Sequence, residues 1–269
     1  MRIAFIGGGH MTTALVSGLL RHGTVVDSVR VADPVTSHLE RLAFEFGVQG
    51  STDNRKVVAD ADLVVLAVKP QDMAEAARSI AGELASRRRL VVSVAAGVRL
   101  QDLERWLGKG TPMVRAMPNR PALIGAGITA LYAGVGTTAD DRGTVEKLMS
   151  AAGETVWLEH ESQMDAATAI SGSGPAYFFL LIEALEAAGT AIGLPHETSR
   201  RLAAATASGA GRMALPAVDG RTRGLQRAQH DGRRAALVQL FSPALGRRAA
   251  RAAARPLRAA LGRPPHSPQ

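Results

Sequence analysis

Residues 2–12 read Arg-Ile-Ala-Phe-Ile-Gly-Gly-Gly-His-Met-Thr, and this stretch decides the fold. The apolar run Ile3–Ile6 ends at three glycines, and Met11–Leu20 follows with apolar residues at helical spacing. Gly7 and Gly9 fill the first two positions of G-x-G-x-x-G/A, and Thr12 stands at the third. Glycines at such a turn let the backbone approach a pyrophosphate, while the free N–H groups and positive dipole end of the helix face the phosphates. The strand–turn–helix order predicts dinucleotide binding by Gly7, Gly8, Gly9, His10 and Met11. Thr12 places a larger side chain where close helix–strand packing favours Gly or Ala.

Outward from this turn, strand and helix patterns alternate. Ser28–Asp33, Asp62–Val68 and Leu90–Ala96 are short, Val-rich runs of the kind that form parallel strands covered on both faces. Helical stretches are expected at 36–46 and 71–83, and further strands at Met113–Met117, Ile128–Tyr132 and Thr155–Leu158. Asp33 closes the second strand 26 residues after Gly7, where a carboxylate commonly binds the ribose 2′-OH of NAD and repels a 2′-phosphate. Ala67, Val68, Lys69 and Pro70 follow the third apolar run, at the strand end where doubly wound sheets hold ligands.

After about residue 160 the strand patterns stop. Ser162–Ile170, Pro175–Ile192 and Glu197–Leu215 read as helices, with Pro175 suited to a first turn and Ser173 to a cap. The longest uncharged apolar stretch, Ala166–Ile182, is interrupted by Ser171-Gly172-Ser173-Gly174-Pro175 and meets Glu183 and Glu186. A buried helix, packed against a second subunit, is expected there in preference to a membrane span. The fold class is therefore α/β: an N-terminal Rossmann-like doubly wound sheet (1–160), an all-helical dimerisation domain (161–215) and an atypical tail (216–269).

The charge is unevenly placed. The chain carries a formal net +8, yet residues 216–269 hold eleven arginines, no lysine and two aspartates, which leaves 1–215 near neutrality. Cysteine is absent, which excludes disulfides, thiolate metal sites and thiol nucleophiles and fits a cytoplasmic protein. The start of the chain has no n-region followed by an h-region, so no signal peptide is expected. The seven histidines never pair at i,i+4, so no metal site is expected, and no Gly-x-Ser-x-Gly elbow appears.

Five segments together resemble the pyrroline-5-carboxylate reductase family. They are Ile6–Met11 (IGGGHM), Ala67–Gln71 (AVKPQ), Ser93–Val98 (SVAAGV), Val114–Asn119 (VRAMPN) with Pro121–Leu123, and Asp165–Tyr177 (DAATAISGSGPAY). The resemblance covers about residues 1–215. It implies reduction of 1-pyrroline-5-carboxylate to L-proline by hydride transfer from NADPH or NADH, the last step of proline biosynthesis, in a homodimer or higher homo-oligomer. It places Ala96, Gly97 and Asn119 beside the nicotinamide, and Ser171, Gly172, Ser173, Gly174 and Pro175 beside the substrate. It names no general acid or base. Neither a membrane nor a nucleic-acid partner is implied.

Departures from the family pattern are specific. Arg120 replaces the threonine of MPNTPA, and His10 stands where asparagine is commoner. Family members follow the Arg-Met-x-Leu helix with a segment like VTSPGGTT that holds the substrate carboxylate. Here Arg212-Met213-Ala214-Leu215 is followed by no such run within 216–269. An Arg/Ala/Pro-rich run without lysine is what a GC-rich gene yields when read out of frame; a genuine diverged tail is the other reading. Two alternatives to the reductase follow. One is an impaired nucleotide-binding homologue whose basic tail binds phosphates. The other is a β-hydroxyacid dehydrogenase or imine reductase, although residues 161–215 lack the lysine that hydroxyacid dehydrogenases use.

Overall fold

A computed structural model describes residues 1–215. The composition shift, the missing carboxylate segment and the two readings of the tail all concern 216–269 and lie outside the described residues. The chain divides into two compact units, Met1–Pro175 and the part that begins at Ala176.

The first unit is built on an eight-stranded sheet. Its strands are β1 (Ile3–Ile6), β2 (Val29–Ala32), β3 (Gln49–Ser51), β4 (Leu63–Leu66), β5 (Leu90–Ser93), β6 (Met113–Met117), β7 (Gly127–Ala133) and β8 (Gly153–Trp157). They lie in the order β3-β2-β1-β4-β5-β6-β7-β8. Every pairing is parallel except β6 with β7. The chain leaves β1 for β2 on one side and returns to β4 on the other, so the order reverses beside β1. In open α/β sheets that crevice, at the carboxyl ends of the strands, is where ligands bind.

Burial on both faces explains why β1, β4 and β5 read as continuous apolar runs. Ile3 and Phe5 join one core with Leu63 and Val65, while Ala4 and Ile6 join the opposite core with Val64 and Leu66. Helices α1 (His10–Arg21), α2 (Thr36–Phe46) and α6 (Ala139–Ser150) contribute Leu15, Leu42 and Leu148 to the first core. Helices α3 (Asn54–Val58), α4 (Met73–Ser86) and α5 (Leu100–Leu107) contribute Val57, Ile80 and Leu103 to the second. The sheet is thus doubly wound, as expected. The strand β3 and the helices α3, α5 and α6 were not legible as separate elements in the sequence.

One expectation is corrected. The Ser171–Pro175 run does not break the helix that contains it. Helix α7 (Gln163–Ala167) passes through a π-turn at Thr168–Gly172 into α8 (Gly174–Ala191), and the helix is continuous over 29 residues. Pro175 has no N–H to donate into an α-helical ladder. The turn just before it is widened, with Ser173 N–H bonded to Thr168 O at 2.8 Å in the i→i−5 pattern. Ser173 therefore lies inside a helix and does not cap one.

Burial of α8 is expected against a second subunit, and within the single chain its Tyr177, Phe178 and Phe179 are 52%, 62% and 51% exposed. By length and composition, Gln163–Ala191 is apolar enough to cross a membrane. In the second unit α8 is followed by α9 (His196–Ala214) after the Gly193-Leu194-Pro195 segment. A Cβ on Gly189 would come within 2.7 Å of Ser199 Oγ, and His196 Nε2 lies 2.8 Å from Glu186 Oε1.

Candidate active site

The glycine turn lies at the reversal point. Gly7 has φ +104°, and a Cβ there would meet Ala67 O at 2.7 Å, so the turn after β1 presses on the turn after β4. Gly7 N–H donates to Ala32 O at 2.7 Å and Ala67 N–H to Ile6 O at 2.8 Å, which ties the ends of β2 and β4 to the same point. Thr12 is fully buried, and its hydroxyl donates to Gly7 O. The larger residue at the third motif position is accommodated because its polar atom is used to hold the turn.

Gly9 is the N-cap of α1 and no side chain caps the helix. The amides of its first turn therefore have no helical partner and carry the positive end of the dipole. A Cβ on Gly9 would meet no atom within 4 Å, so the space in front of these amides is open. Arg41 of α2 donates from Nη2 to Gly8 O at 3.1 Å and Thr13 Oγ1 at 3.2 Å. Its Nε is buried without a hydrogen-bond partner. Free amides, an open cradle and an under-used guanidinium fit an anionic pyrophosphate. The residues present therefore fit a dinucleotide. Arg41 carried no motif in the sequence; only its place on the inner face of α2 brings it here.

Asp33 receives a hydrogen bond from Gly8 N–H at 2.6 Å and another from Val35 N–H at 2.8 Å. His38 Nδ1 lies 3.2 Å from its Oδ2, off the line of a good hydrogen bond. Burial pushes this carboxyl up, but the amides of Gly8 and Val35 and the adjacent His38 outweigh it and hold the group below the usual carboxylate range. A charged carboxylate is thus fixed against the glycine turn.

The other residues expected at the site fall along the same edge. His10, Lys69, Pro70, Ala96 and Gly97 are exposed, and Met11, Ala67 and Val68 are partly so. Gly97, with φ +76°, sits in the turn after β5. Asn119 is buried after β6, and its Oδ1 accepts Ile128 N–H at 3.0 Å, which locks the loop to the start of β7. The π-turn is brought to this strand end as well, because a Cβ on Gly172 would meet Met117 Cε at 2.7 Å. Ser171 Oγ donates to Ala167 O at 2.8 Å, whereas Ser173 is exposed. Among the described residues, no group of three or more His, Asp or Glu side chains is gathered to hold a metal ion.

Buried Arg115 supports this edge from behind. Its Nη1 donates to Glu161 Oε1 at 2.7 Å, and the same oxygen accepts Leu100 N–H at 2.8 Å. The bonds join β6 to α5 and to the segment before α7. The pairing had no signal in the sequence, since its partners are 46 and 61 positions apart.

The family described as NADP oxidoreductase coenzyme F420-dependent matches residues 2–97, and that described as Pyrroline-5-carboxylate reductase dimerisation matches 161–247. The pyrroline-5-carboxylate reductase of Pseudomonas aeruginosa is 46% identical over 214 residues, covering 80% of this chain and 78% of that protein. The Mycobacterium leprae enzyme of the same name is 45% identical over 226 residues, covering 81% and 75%. Among solved structures, a pyrroline-5-carboxylate reductase from Coxiella burnetii superposes with a TM-score of 0.82 at 36% identity, covering 91% of this chain and 92% of that one. The Plasmodium falciparum pyrroline carboxylate reductase, solved with NADP bound, gives 0.76 at 27% identity over 94% and 92%. With this identity across most of both chains, the protein belongs to the pyrroline-5-carboxylate reductase family.

Proposed function

We propose that the chain reduces 1-pyrroline-5-carboxylate to L-proline with NADPH or NADH, the last step of proline biosynthesis. The carrying observation is 46% identity to a pyrroline-5-carboxylate reductase over 80% of the chain, on a fold whose strand-end cradle suits a dinucleotide. Dinucleotide binding is assigned to 1–160 and substrate and subunit contacts to 161–215, with 216–269 as a distinct tail.

A nicotinamide dinucleotide held here would supply the hydride for the C=N carbon of the cyclic imine, while the imine nitrogen takes its proton from solvent. The chain binds and orients. Gly9, His10 and Met11 hold the pyrophosphate through the free amides at the start of α1, Gly7 and Gly8 shape the turn that presents them, and Asp33 holds the adenosine ribose. Ala67, Val68, Lys69 and Pro70 border the dinucleotide across the crevice from them. Ala96, Gly97 and Asn119 flank the nicotinamide, and Asn119 does so from a loop its own Oδ1 keeps rigid. Ser171, Gly172, Ser173, Gly174 and Pro175 border the substrate. Of the two serines, Ser173 has the exposed hydroxyl, while Ser171 already donates to Ala167 O. Orientation is the main demand, because a hydride transfer of this kind needs alignment more than a strong base.

We assign the exposed aromatic face of α8 to a second copy of the chain, giving a homodimer or higher homo-oligomer and not a membrane anchor. The protein works in the cytoplasm, without a nucleic-acid partner. The test is NAD(P)H absorbance at 340 nm with and without 1-pyrroline-5-carboxylate, together with assay of proline. Substrate-dependent oxidation with equimolar proline is expected. Dinucleotide binding without turnover would reject the reductase reading in favour of an impaired homologue.

A further inference from the structure

We infer that Glu161 is a positioning residue for the hydride step: one oxygen of its carboxylate ties the turn beside the nicotinamide, Ala96–Gly97, to the helix that borders the substrate. The inference rests on the reductase reading given above.

Glu161 Oε1 accepts hydrogen bonds from two different elements, Arg115 Nη1 of β6 at 2.7 Å and Leu100 N–H of α5 at 2.8 Å. Both donors depend on it. The Arg115 side chain is only 8% exposed, and among the described residues Glu161 is its one ion-pair partner. Leu100 is the first residue of α5, and the Arg99 that precedes it supplies no side-chain cap. Its amide therefore has no partner within the helix. Glu161 serves as that cap from a distant part of the chain, and its charge meets the positive end of the α5 dipole.

The two flanks of this contact are the two halves of the site. On one side the segment between β5 and α5 holds the turn at Ala96–Gly97. Val94 N–H fixes the start of that segment to Leu66 O at 3.0 Å, and Glu161 fixes its end. On the other side Glu161 O accepts Met164 N–H at 3.0 Å, which joins Glu161 to the first turn of α7. The helix then reaches its π-turn, where a Cβ on Gly172 would lie 2.7 Å from Met117 Cε. Arg115 and Met117 are alternate residues of β6 and share one face of the strand. That face holds the substrate helix at two points, and the contact through Glu161 is the one that also reaches the nicotinamide turn.

Hydride transfer needs its two carbons about 3–3.5 Å apart, and a displacement of about 1 Å costs about a hundredfold in rate. Without the Glu161 carboxylate, Arg115 is a buried cation with no counter-charge among the described residues, and the Leu100 amide is unbonded. The turn and the helix are then free to shift against each other. Glutamine keeps an acceptor oxygen at the same reach, whereas alanine removes it.

The test compares the full chain with Glu161→Ala and Glu161→Gln. Single-turnover oxidation of NADPH or NADH, whichever binds more tightly, at saturating 1-pyrroline-5-carboxylate gives the hydride rate. Calorimetry gives the dinucleotide Kd, and hydrogen–deuterium exchange follows the amides of residues 94–103. Glu161→Ala should slow hydride transfer about a hundredfold, leave Kd within about threefold, and speed exchange over 94–103 by about tenfold or more. Glu161→Gln should recover the rate to within about fivefold of the unaltered chain. If the alanine variant fails to fold, Glu161→Asp, one methylene shorter, replaces it with the same expectations. A hydride rate within about threefold of the unaltered chain, unchanged exchange, or a loss carried wholly by Kd overturns the inference and leaves the reductase reading intact. A glutamine variant as slow as the alanine variant also overturns it. Absence of substrate-dependent turnover in the unaltered chain rejects the reductase reading and the inference with it.

Discussion

Gly18→Ala sets local propensity against packing, and the two predict opposite signs. Gly18 lies inside α1, where alanine is favoured over glycine by about 1 kcal/mol. On propensity alone the substitution stabilises. In the fold, however, α1 crosses the end of α6 at this residue. A Cβ on Gly18 would lie 2.7 Å from the carbonyl carbon of Ala151, with the Ala151 oxygen closer still. Ordinary contact begins near 3.4 Å, and both atoms belong to the backbone, so the helix must retreat by about 1 Å. Overpacking of this kind costs about 1–3 kcal/mol, and a clash against main chain belongs at the upper end. Subtracting the propensity gain leaves a net loss of about 2 kcal/mol, or about 4–8 °C in Tm for a domain of this size. Thermal unfolding followed by far-UV circular dichroism measures it. Because α1 also presents the first-turn amides, dinucleotide affinity should fall in the same variant. A Tm equal to or above that of the unaltered chain would refute the packing argument.

Three further predictions follow from particular contacts. Gly7→Val should abolish detectable dinucleotide binding in calorimetry while the protein still folds, because a side chain at φ +104° would press into Ala67 O. Phe178→Asp on the exposed face of α8 should shift the chain toward monomer in analytical ultracentrifugation without unfolding the first unit. The third concerns acid. Burial raises the carboxyl of Asp141, but hydrogen bonds from Arg88 and Thr138 outweigh it, so its folded value lies below the unfolded one. Its stabilisation is complete above the unfolded value near 4 and is lost as pH falls through the lower folded value. Asp141→Asn should therefore flatten the fall in urea midpoint below pH 4 relative to the unaltered chain, and an unchanged acid slope would contradict the assignment.

What the sequence discloses depends on whether an element's burial is written in its own residues. The central strands β1, β4 and β5 are covered on both faces, so their apolar runs stand out unaided. The edge strand β3 is three residues long, contains Gly50 and is largely exposed, so neither length nor pattern marks it. Helix α6 opens with a reciprocal cap between Thr138 and Asp141, yet few of its residues are apolar and the helical stripe is faint. The Ser-Gly-Ser-Gly-Pro run looks like a break because glycine and proline usually punctuate helices. Here the π-turn absorbs the proline and sets Gly172 against Met117.

The site divides in the same way. Gly7, Gly9 and Asp33 are legible because their roles depend on local backbone geometry at fixed spacing. Arg41 over Gly8 and Arg115 with Glu161 depend on helix and strand placement across 28 or more positions, which no short window contains. The role of Thr12 was legible only in part: its size counted against it, whereas its hydroxyl bond to Gly7 O needed the folded turn to be seen.

The measurement that bears most directly on the central claim follows the hydride itself. The chain is incubated with 1-pyrroline-5-carboxylate and nicotinamide dinucleotide deuterated at C4 on each face in turn, and proline is analysed by mass spectrometry. One deuterium on the former C=N carbon of L-proline is predicted with one of the two labelled cofactors. Proline without label from either cofactor, or no proline from a chain that binds the dinucleotide, would contradict it.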